Sequence, residues 1–405
     1  MEIIENKLLM FGAGKIGRSF IGQLFSIGGY EVVFVDVYLP IIEELNKKRS
    51  YRIIIKTEEE KIVNVTNVKG LHADDIKGVT DEVASAGILA VSVGQNNLLP
   101  VLDLIAAGLK KRYKIFPNKP LDIIIAENMR DADLFFKDHL LKRLPSEYPF
   151  DQLVGLVETS IGKMVPIMQK KDINEDILQI FAEPYNTLIL SKSAFKNPIP
   201  DIKGLAPKEN MKAWVDRKLF IHNLGHAATA YLGNILNPHL LFMHQALAVP
   251  GLQNSVREVM LQAANILVKK YPDEFSLNDL NEHVDDLLNR FSNKALGDTI
   301  FRVGCDLPRK LAAGDRIAGA IQAAIDLKLP YDKILHVLVS ACYFQAGDEN
   351  GRMLGDDIDF LKTFNKHGIR KILKEICGFD EKINNEVFIK AEAKANSIKS
   401  EMNLT

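Results

Sequence analysis

The densest run of reactive side chains is Asp216-Arg217-Lys218-Leu219-Phe220-Ile221-His222-Asn223-Leu224-Gly225-His226-Ala227. On a regular helix of about 100° per residue, with Lys218 at the origin, His226 falls at about 80° and Asn223 at about 140°. Three polar groups then share one side of a helix with apolar neighbours. Oxidising an alcohol needs a base for the hydroxyl proton and donors for the oxygen left charged. A lysine with a depressed pKa can be that base, an asparagine amide a donor, and a histidine a substrate-orienting group. The spacing is equally that of a solvated lysine and a core histidine, and periodicity alone does not separate the two readings. His222, at about 40°, stands four residues before His226, a spacing that zinc sites use. The run lacks the glutamate of H-E-x-x-H and no third ligand stands out, so no metal is expected.

A second run with chemical content is Phe11-Gly12-Ala13-Gly14-Lys15-Ile16-Gly17. It contains G-x-G-x-x-G after an apolar stretch, Leu8 to Phe11, and before an amphipathic one, about Ile16 to Ile27. Gly12 permits a tight turn, Gly14 lets backbone approach a pyrophosphate, and Gly17 allows close helix–sheet packing. The backbone of Ala13, Lys15 and Ile16 then opens a helix whose N-terminus favours phosphate. Asp36 follows roughly 20 residues on, at the end of Glu31–Val37, where a carboxylate accepts from ribose hydroxyls. It would repel a 2′-phosphate, and no arginine follows it at Val37 or Tyr38, so NAD is the expected cofactor. Gly94 and Asn128 each follow an apolar strand-like run, Ile88–Val93 and Ile123–Ala126. They are candidates for the ligand crevice at the carboxyl ends of strands.

These groups need elements to hold them. Alternating strand and helix patterns over the first half predict an α/β, Rossmann-like domain with a mostly parallel, doubly wound sheet over 1–200. Tyr51–Ile55 with Ile62–Val68, and Ile177–Leu190, read as antiparallel additions to that sheet. Asn197-Pro198-Ile199-Pro200 to Pro207 reads as a linker. From about Asn210 the apolar period becomes helical and strand signals fade, which predicts an all-α domain over 201–405. Across the 405 residues, 47% are apolar and 25% charged, with a formal net charge of −1. That balance offers no global field for nucleic acid or an anionic membrane. No run reaches the roughly 18 apolar residues of a membrane span. The start does not resemble a secretory signal, and Cys305, Cys342 and Cys377 form no disulfide framework, so a cytoplasmic setting is expected. The expected partner is a small molecule, and oligomeric state is not legible.

Four pieces taken together resemble the polyol-specific long-chain dehydrogenases. They are FGAGKIGRSFIG at 11–22, AENM at 126–129, RKLFIHNLGHAATAYLG at 217–233 and RVGCDLPRKLAAGDR at 302–316. The K-x4-N-x2-H pattern in the third is the most specific to the family. The resemblance implies metal-independent hydride transfer, with Lys218 as general acid/base, Asn223 and His226 as motif partners and Asn128 helping to hold the oxyanion. It points to the branch that acts on D-mannitol 1-phosphate and D-fructose 6-phosphate. His222 stands where the family commonly has an aliphatic residue. A sugar phosphate needs cations, and Arg302, Arg309, Lys310 and Arg316 cluster in the fourth piece; Arg309 or Lys310 is expected at the phosphate. Two other readings stand beside this one. The first is a sibling acting on a hexuronate or an unphosphorylated polyol. The second is an NAD-binding regulatory protein without catalysis.

Overall fold

A computed structural model describes residues 1–57 and 59–402. The chain divides into two compact units, Met1–Val215 and Asp216–Thr405. The division falls later than the boundary expected near 200, because the turn-rich segment belongs to the first unit. Buried Asp122 accepts hydrogen bonds from the backbone N–H of Lys196 (2.8 Å) and Asn197 (3.1 Å) and from Asn197 Nδ2 (2.8 Å). The residues that follow then form a strand.

The strands of the first unit are β1 (Ile4–Phe11), β2 (Glu31–Asp36), β3 (Ser50–Ile55), β4 (Lys61–Thr66), β5 (Val68–His72), β6 (Ala86–Val91), β7 (Leu121–Ile125), β8 (Val154–Ser160), β9 (Ile180–Ala182), β10 (Leu188–Ser191) and β11 (Leu205–Lys208). Eight form one sheet in the order β11-β10-β8-β7-β6-β1-β2-β5. From β8 to β5 every pairing is parallel, and β10 joins β8 antiparallel. The chain runs outward from β1 through β2 to β5, then returns to β6 on the other side of β1. Such a reversal opens a crevice at the carboxyl ends of the two central strands.

Side chains on a strand alternate between faces. Leu8, Met10, Val32 and Phe34 therefore pack on one side against Phe20, Ile21 and Phe25. Leu9, Phe11, Val33 and Val35 pack on the other, against Val83, Leu102, Ile105 and Phe136 of helices that cross between strands. Burial of both faces explains why the strands read as continuous apolar runs.

Of the two β-rich insertions, expected as antiparallel additions to this sheet, only the end of the second, β10, adds to it that way. β3 and β4 form a hairpin that β9 joins in parallel, as a separate three-stranded sheet. Val68 starts β5, which pairs with β2 in the main sheet. The expected pairing of β3, β4 and β9 with the main sheet is corrected, because period-two patterning marks a strand but does not name its partner.

In the second unit, the one β pairing among the described residues is the isolated bridge Phe242–Thr299. The helix Leu224–Leu236 is buried almost all round, as the central helix of an α-domain must be. Helices Leu252–Lys270, Leu277–Phe291, Ile300–Gly304, Ala318–Asp326 and Asp332–Ala341 follow it in the chain. Leu277–Phe291 is amphipathic and starts at Ser276, whose hydroxyl accepts from the Asp279 N–H at 3.1 Å. No helix among the described residues is long and apolar enough to cross a membrane.

Candidate active site

In the first unit, the turn after β1 is built from backbone. Gly12 has φ +99°, and a Cβ there would meet Ser92 O at 2.2 Å. A Cβ on Gly17 would meet Gly12 O at 2.0 Å. Both positions therefore demand glycine for the fold itself. Gly14 differs: nothing lies within 4 Å of its would-be Cβ. Its openness toward solvent is what a closely approaching ligand needs. Lys15 is exposed, and Ile16 leans on the sheet core.

Two side chains set the turn. Asp36 Oδ2 accepts from the Ala13 N–H at 2.7 Å, and Oδ1 from the Tyr38 N–H at 2.9 Å. Buried Arg18 donates from Nε to Ala13 O at 2.7 Å and from Nη1 to the carbonyls of Ile177 and Leu178. Arg18 thus ties the turn to the chain entering β9, a link that motif reading did not reveal. After Gly17 the helix widens into a π-helical segment, Gly17–Gly22. A crevice of about 280 Å³ is lined by Gly12, Gly14, Asp36, Val37, Val93 and Val101, among others. Its apolar walls suit an adenine ring, and Asp36 borders it where ribose hydroxyls would lie.

Glu127, also missed from sequence, organises the other lip. It is buried, and its Oε1 accepts from the backbone N–H of Val93 (2.7 Å) and Gly94 (3.0 Å). Burial raises its pKa, and these two N–H groups oppose the rise. Gly94 has φ +81° and open space where a Cβ would be. Asn128 is exposed, and its carbonyl accepts from Gln95 Nε2 at 3.1 Å. The signal for Glu127 was its position beside Asn128 at a strand end, where an acid must find donors.

In the second unit, Lys218, Asn223 and His226 do not lie on one regular α-helix. Lys218–Asn223 is π-helical, and Leu224–Leu236 is α-helical. The Leu224 N–H reaches Leu219 O, the i−5 carbonyl of a π turn. The regular wheel angles expected from sequence therefore do not hold across this segment. Widened turns of this kind recur at functional sites.

Lys218 keeps part of its side chain accessible, yet burial, helped by the positive charge of Arg316, brings its pKa down to about 8. His226 Nε2 lies 3.2 Å from Asp298 Oδ2, close enough for electrostatic pairing, though the angle does not make an aligned hydrogen bond. The His226 ring stacks on Phe291, with centroids 4.7 Å apart and 13° between planes. Burial lowers the His226 pKa, against the pull of Asp298. A neutral, oriented imidazole results. The other oxygen of Asp298 accepts from Arg302 Nη2. His222 is buried edge-on to Phe291 at 5.6 Å, and burial holds its pKa well below the ordinary histidine value. Asp298 and Phe291 had no sequence signal, since they stand on elements far along the chain.

Arg309 is exposed and pairs with Asp306 through Nε. Lys310 is buried, and its Nζ donates to Val303 O at 2.7 Å and to Cys305 O. It caps the helix Ile300–Gly304, and burial brings its pKa down to about 8. Of the two residues expected at a phosphate, one is thus exposed and ion-paired, and the other is directed at carbonyls.

The fold of the first unit and its crevice are those of a dinucleotide-binding domain, and in the second unit burial brings the Lys218 pKa down to about 8. The chain matches the mannitol dehydrogenase Rossmann domain over residues 6–204 and the mannitol dehydrogenase C-terminal domain over 210–397. It belongs to the mannitol dehydrogenase family, and with it to the NAD-dependent polyol dehydrogenases. It is similar in structure to Pseudomonas fluorescens mannitol 2-dehydrogenase, solved as a ternary complex with NAD and D-mannitol. There the TM-score is 0.74 at 16% identity, covering 98% of this chain and 92% of that one. It is also similar to a D-sorbitol dehydrogenase solved in substrate-free form, with a TM-score of 0.79 at 15% identity, covering 99% and 94%. At these identities the likeness concerns the fold.

Proposed function

We propose that this chain interconverts D-mannitol 1-phosphate and D-fructose 6-phosphate with NAD, the activity of a mannitol-1-phosphate 5-dehydrogenase. The observation that carries the chemistry is the Lys218 amine, brought to about 8 by burial and by Arg316. A base is most useful when its pKa lies near the working pH. Support for the phosphorylated substrate comes from the four motif pieces and from the basic segment 302–316, where Arg309 or Lys310 is the expected candidate.

Gly12, Ala13, Gly14, Lys15, Ile16 and Gly17 would hold the cofactor's pyrophosphate, Asp36 its ribose, and Gly94 would let it pass close to backbone. Bound NAD supplies the hydride acceptor. Neutral Lys218 takes the proton of the C5 hydroxyl at Nζ during oxidation and returns it during reduction. The amides of Asn128 and Asn223 hold the oxygen as it gains charge. His226, fixed by Phe291 and Asp298, orients a neighbouring hydroxyl.

The test is NADH oxidation followed by absorbance, with fructose 6-phosphate run beside fructose, fructuronate and tagaturonate. The expected result is strong preference for fructose 6-phosphate. Turnover of fructose or a hexuronate with an inert phosphate ester would move the substrate to a sibling activity. Tight NADH binding without turnover of any ketose would favour a non-catalytic role.

A further inference from the structure

We propose that Arg316 is the residue that receives the phosphate of the substrate, an assignment that rests on the sugar-phosphate reading above. Four cations in the segment 302–316 were open to this role, and their surroundings separate them. Arg302 reaches Asp298, Arg309 reaches Asp306, and Lys310 is directed at the carbonyls of Val303 and Cys305. Arg316 is different in kind. Its side chain is only 11% exposed, and Nε donates to Asp315 Oδ1 at 2.7 Å. Among the described residues, its two Nη groups have no hydrogen-bond partner. A guanidinium carries five N–H donors in a planar fork, so four remain directed away from Asp315. An enclosed cation with an open fork has the donor geometry that a phosphate accepts two at a time.

Its setting is also the right one. Arg316 is the one charge that, with burial, lowers the Lys218 pKa, and its field also reaches His226 and Tyr231. Arg316 therefore lies near Lys218 and His226 in the second unit. Its backbone is fixed. Asp315 Oδ1 also accepts the Arg316 N–H at 2.6 Å, the Gly319 N–H donates to Asp315 O at 2.7 Å, and Gly314 turns with φ +76°. A pre-set fork loses little freedom on binding. A single carboxylate, Asp315, lies against it, which leaves an anionic ester to complete the balance of charge.

The experiment measures KM and kcat for fructose 6-phosphate and for fructose in the wild type, Arg316→Ala, Arg316→Lys and Arg309→Ala. NADH binding and Tm report folding of each variant. Arg316→Ala is expected to raise KM for fructose 6-phosphate roughly 10- to 100-fold, the range for losing charge-assisted hydrogen bonds. Its effect on fructose should be much smaller, and Arg316→Lys should recover part of the loss. Inorganic phosphate should compete with fructose 6-phosphate in the wild type and lose that effect in Arg316→Ala. If Arg316→Ala does not fold, the Lys variant and phosphate competition carry the test. An unchanged KM in the folded Arg316 variants, an equal loss on both ketoses, or a rise confined to Arg309→Ala overturns the assignment. A wild type inert toward fructose 6-phosphate but active on another ketose overturns the sugar-phosphate reading itself, and Arg316 as a phosphate residue falls with it.

Discussion

In the first unit the Gly12–Gly17 turn is shaped by backbone, whereas in the second unit the Lys218–His226 segment is shaped by side chains. In the first region φ +99° at Gly12 and the absence of any neighbour at Gly14 create the space. In the second, burial and the charges of Arg316 and Asp298 set the state of a lysine and a histidine. Each region contains a π-helical segment, Gly17–Gly22 and Lys218–Asn223. The first region rests on backbone geometry that glycines at the right spacing supply. The second depends on protonation states that only a particular neighbourhood supplies.

The sharpest way to break this contrast is at Lys218. Lys218→Met should lower kcat by roughly 10²- to 10⁴-fold, the usual worth of a positioned acid/base. The same change should raise Tm at neutral pH, because it removes an amine whose charge is disfavoured by burial. Loss of activity with an unchanged or lower Tm would deny that the site is held against stability. The pH profile tests the same point without mutation. Below about 8 Lys218 holds its proton and cannot accept another, so kcat for polyol oxidation should fall toward acid and level off above about 8. Ketose reduction needs the protonated amine and should weaken above that value. The sign for stability agrees. The folded pKa lies below the free lysine value of 10.5, so this group adds stability as pH rises from about 8 toward 10.5.

Glycine substitutions probe the first region next. Gly14→Val should leave Tm nearly unchanged, because its Cβ meets nothing in the protein, yet weaken NAD binding by roughly 10-fold or more. Gly12→Ala should lower Tm, since its Cβ would lie 2.2 Å from Ser92 O at positive φ. The reverse pattern, measured by melting and NADH fluorescence, would remove the distinction between a folding glycine and a binding one. A smaller effect is expected at Glu127. Glu127→Ala leaves two N–H groups without their acceptor and should raise KM for NAD roughly 5- to 10-fold. Glu127→Gln keeps an acceptor oxygen and should recover most of it. If Gln and Ala behave alike, the carboxylate does more than hold the Val93–Gly94 turn. Asp298→Asn should cost the least, about threefold to tenfold in kcat, because Phe291 still stacks on His226. No change in kcat would show that stacking alone orients the ring.

Two properties of this protein were set by local spacing. G-x-G-x-x-G, the strand before it and Asp36 after it mark a turn of the dinucleotide-binding kind, because its spacing is local, although Gly12 answers to Ser92 of a neighbouring strand end. The change of apolar period near Asn210 likewise marks where helices take over. Other features belong to the tertiary structure alone. Period two marked β3, β4 and β9 as strands, but only the folded chain joined them in a separate sheet. K-x4-N-x2-H placed Lys218, Asn223 and His226 close in sequence, but the π turn, the stack on Phe291 and the approach of Asp298 came with packing. Lys310 read as a phosphate candidate and Arg316 as one more basic residue, and their hydrogen-bond partners separated them. A pKa and a hydrogen-bonding vacancy are properties of surroundings, and the surroundings of Lys218 and Arg316 are assembled from residues far apart in the chain.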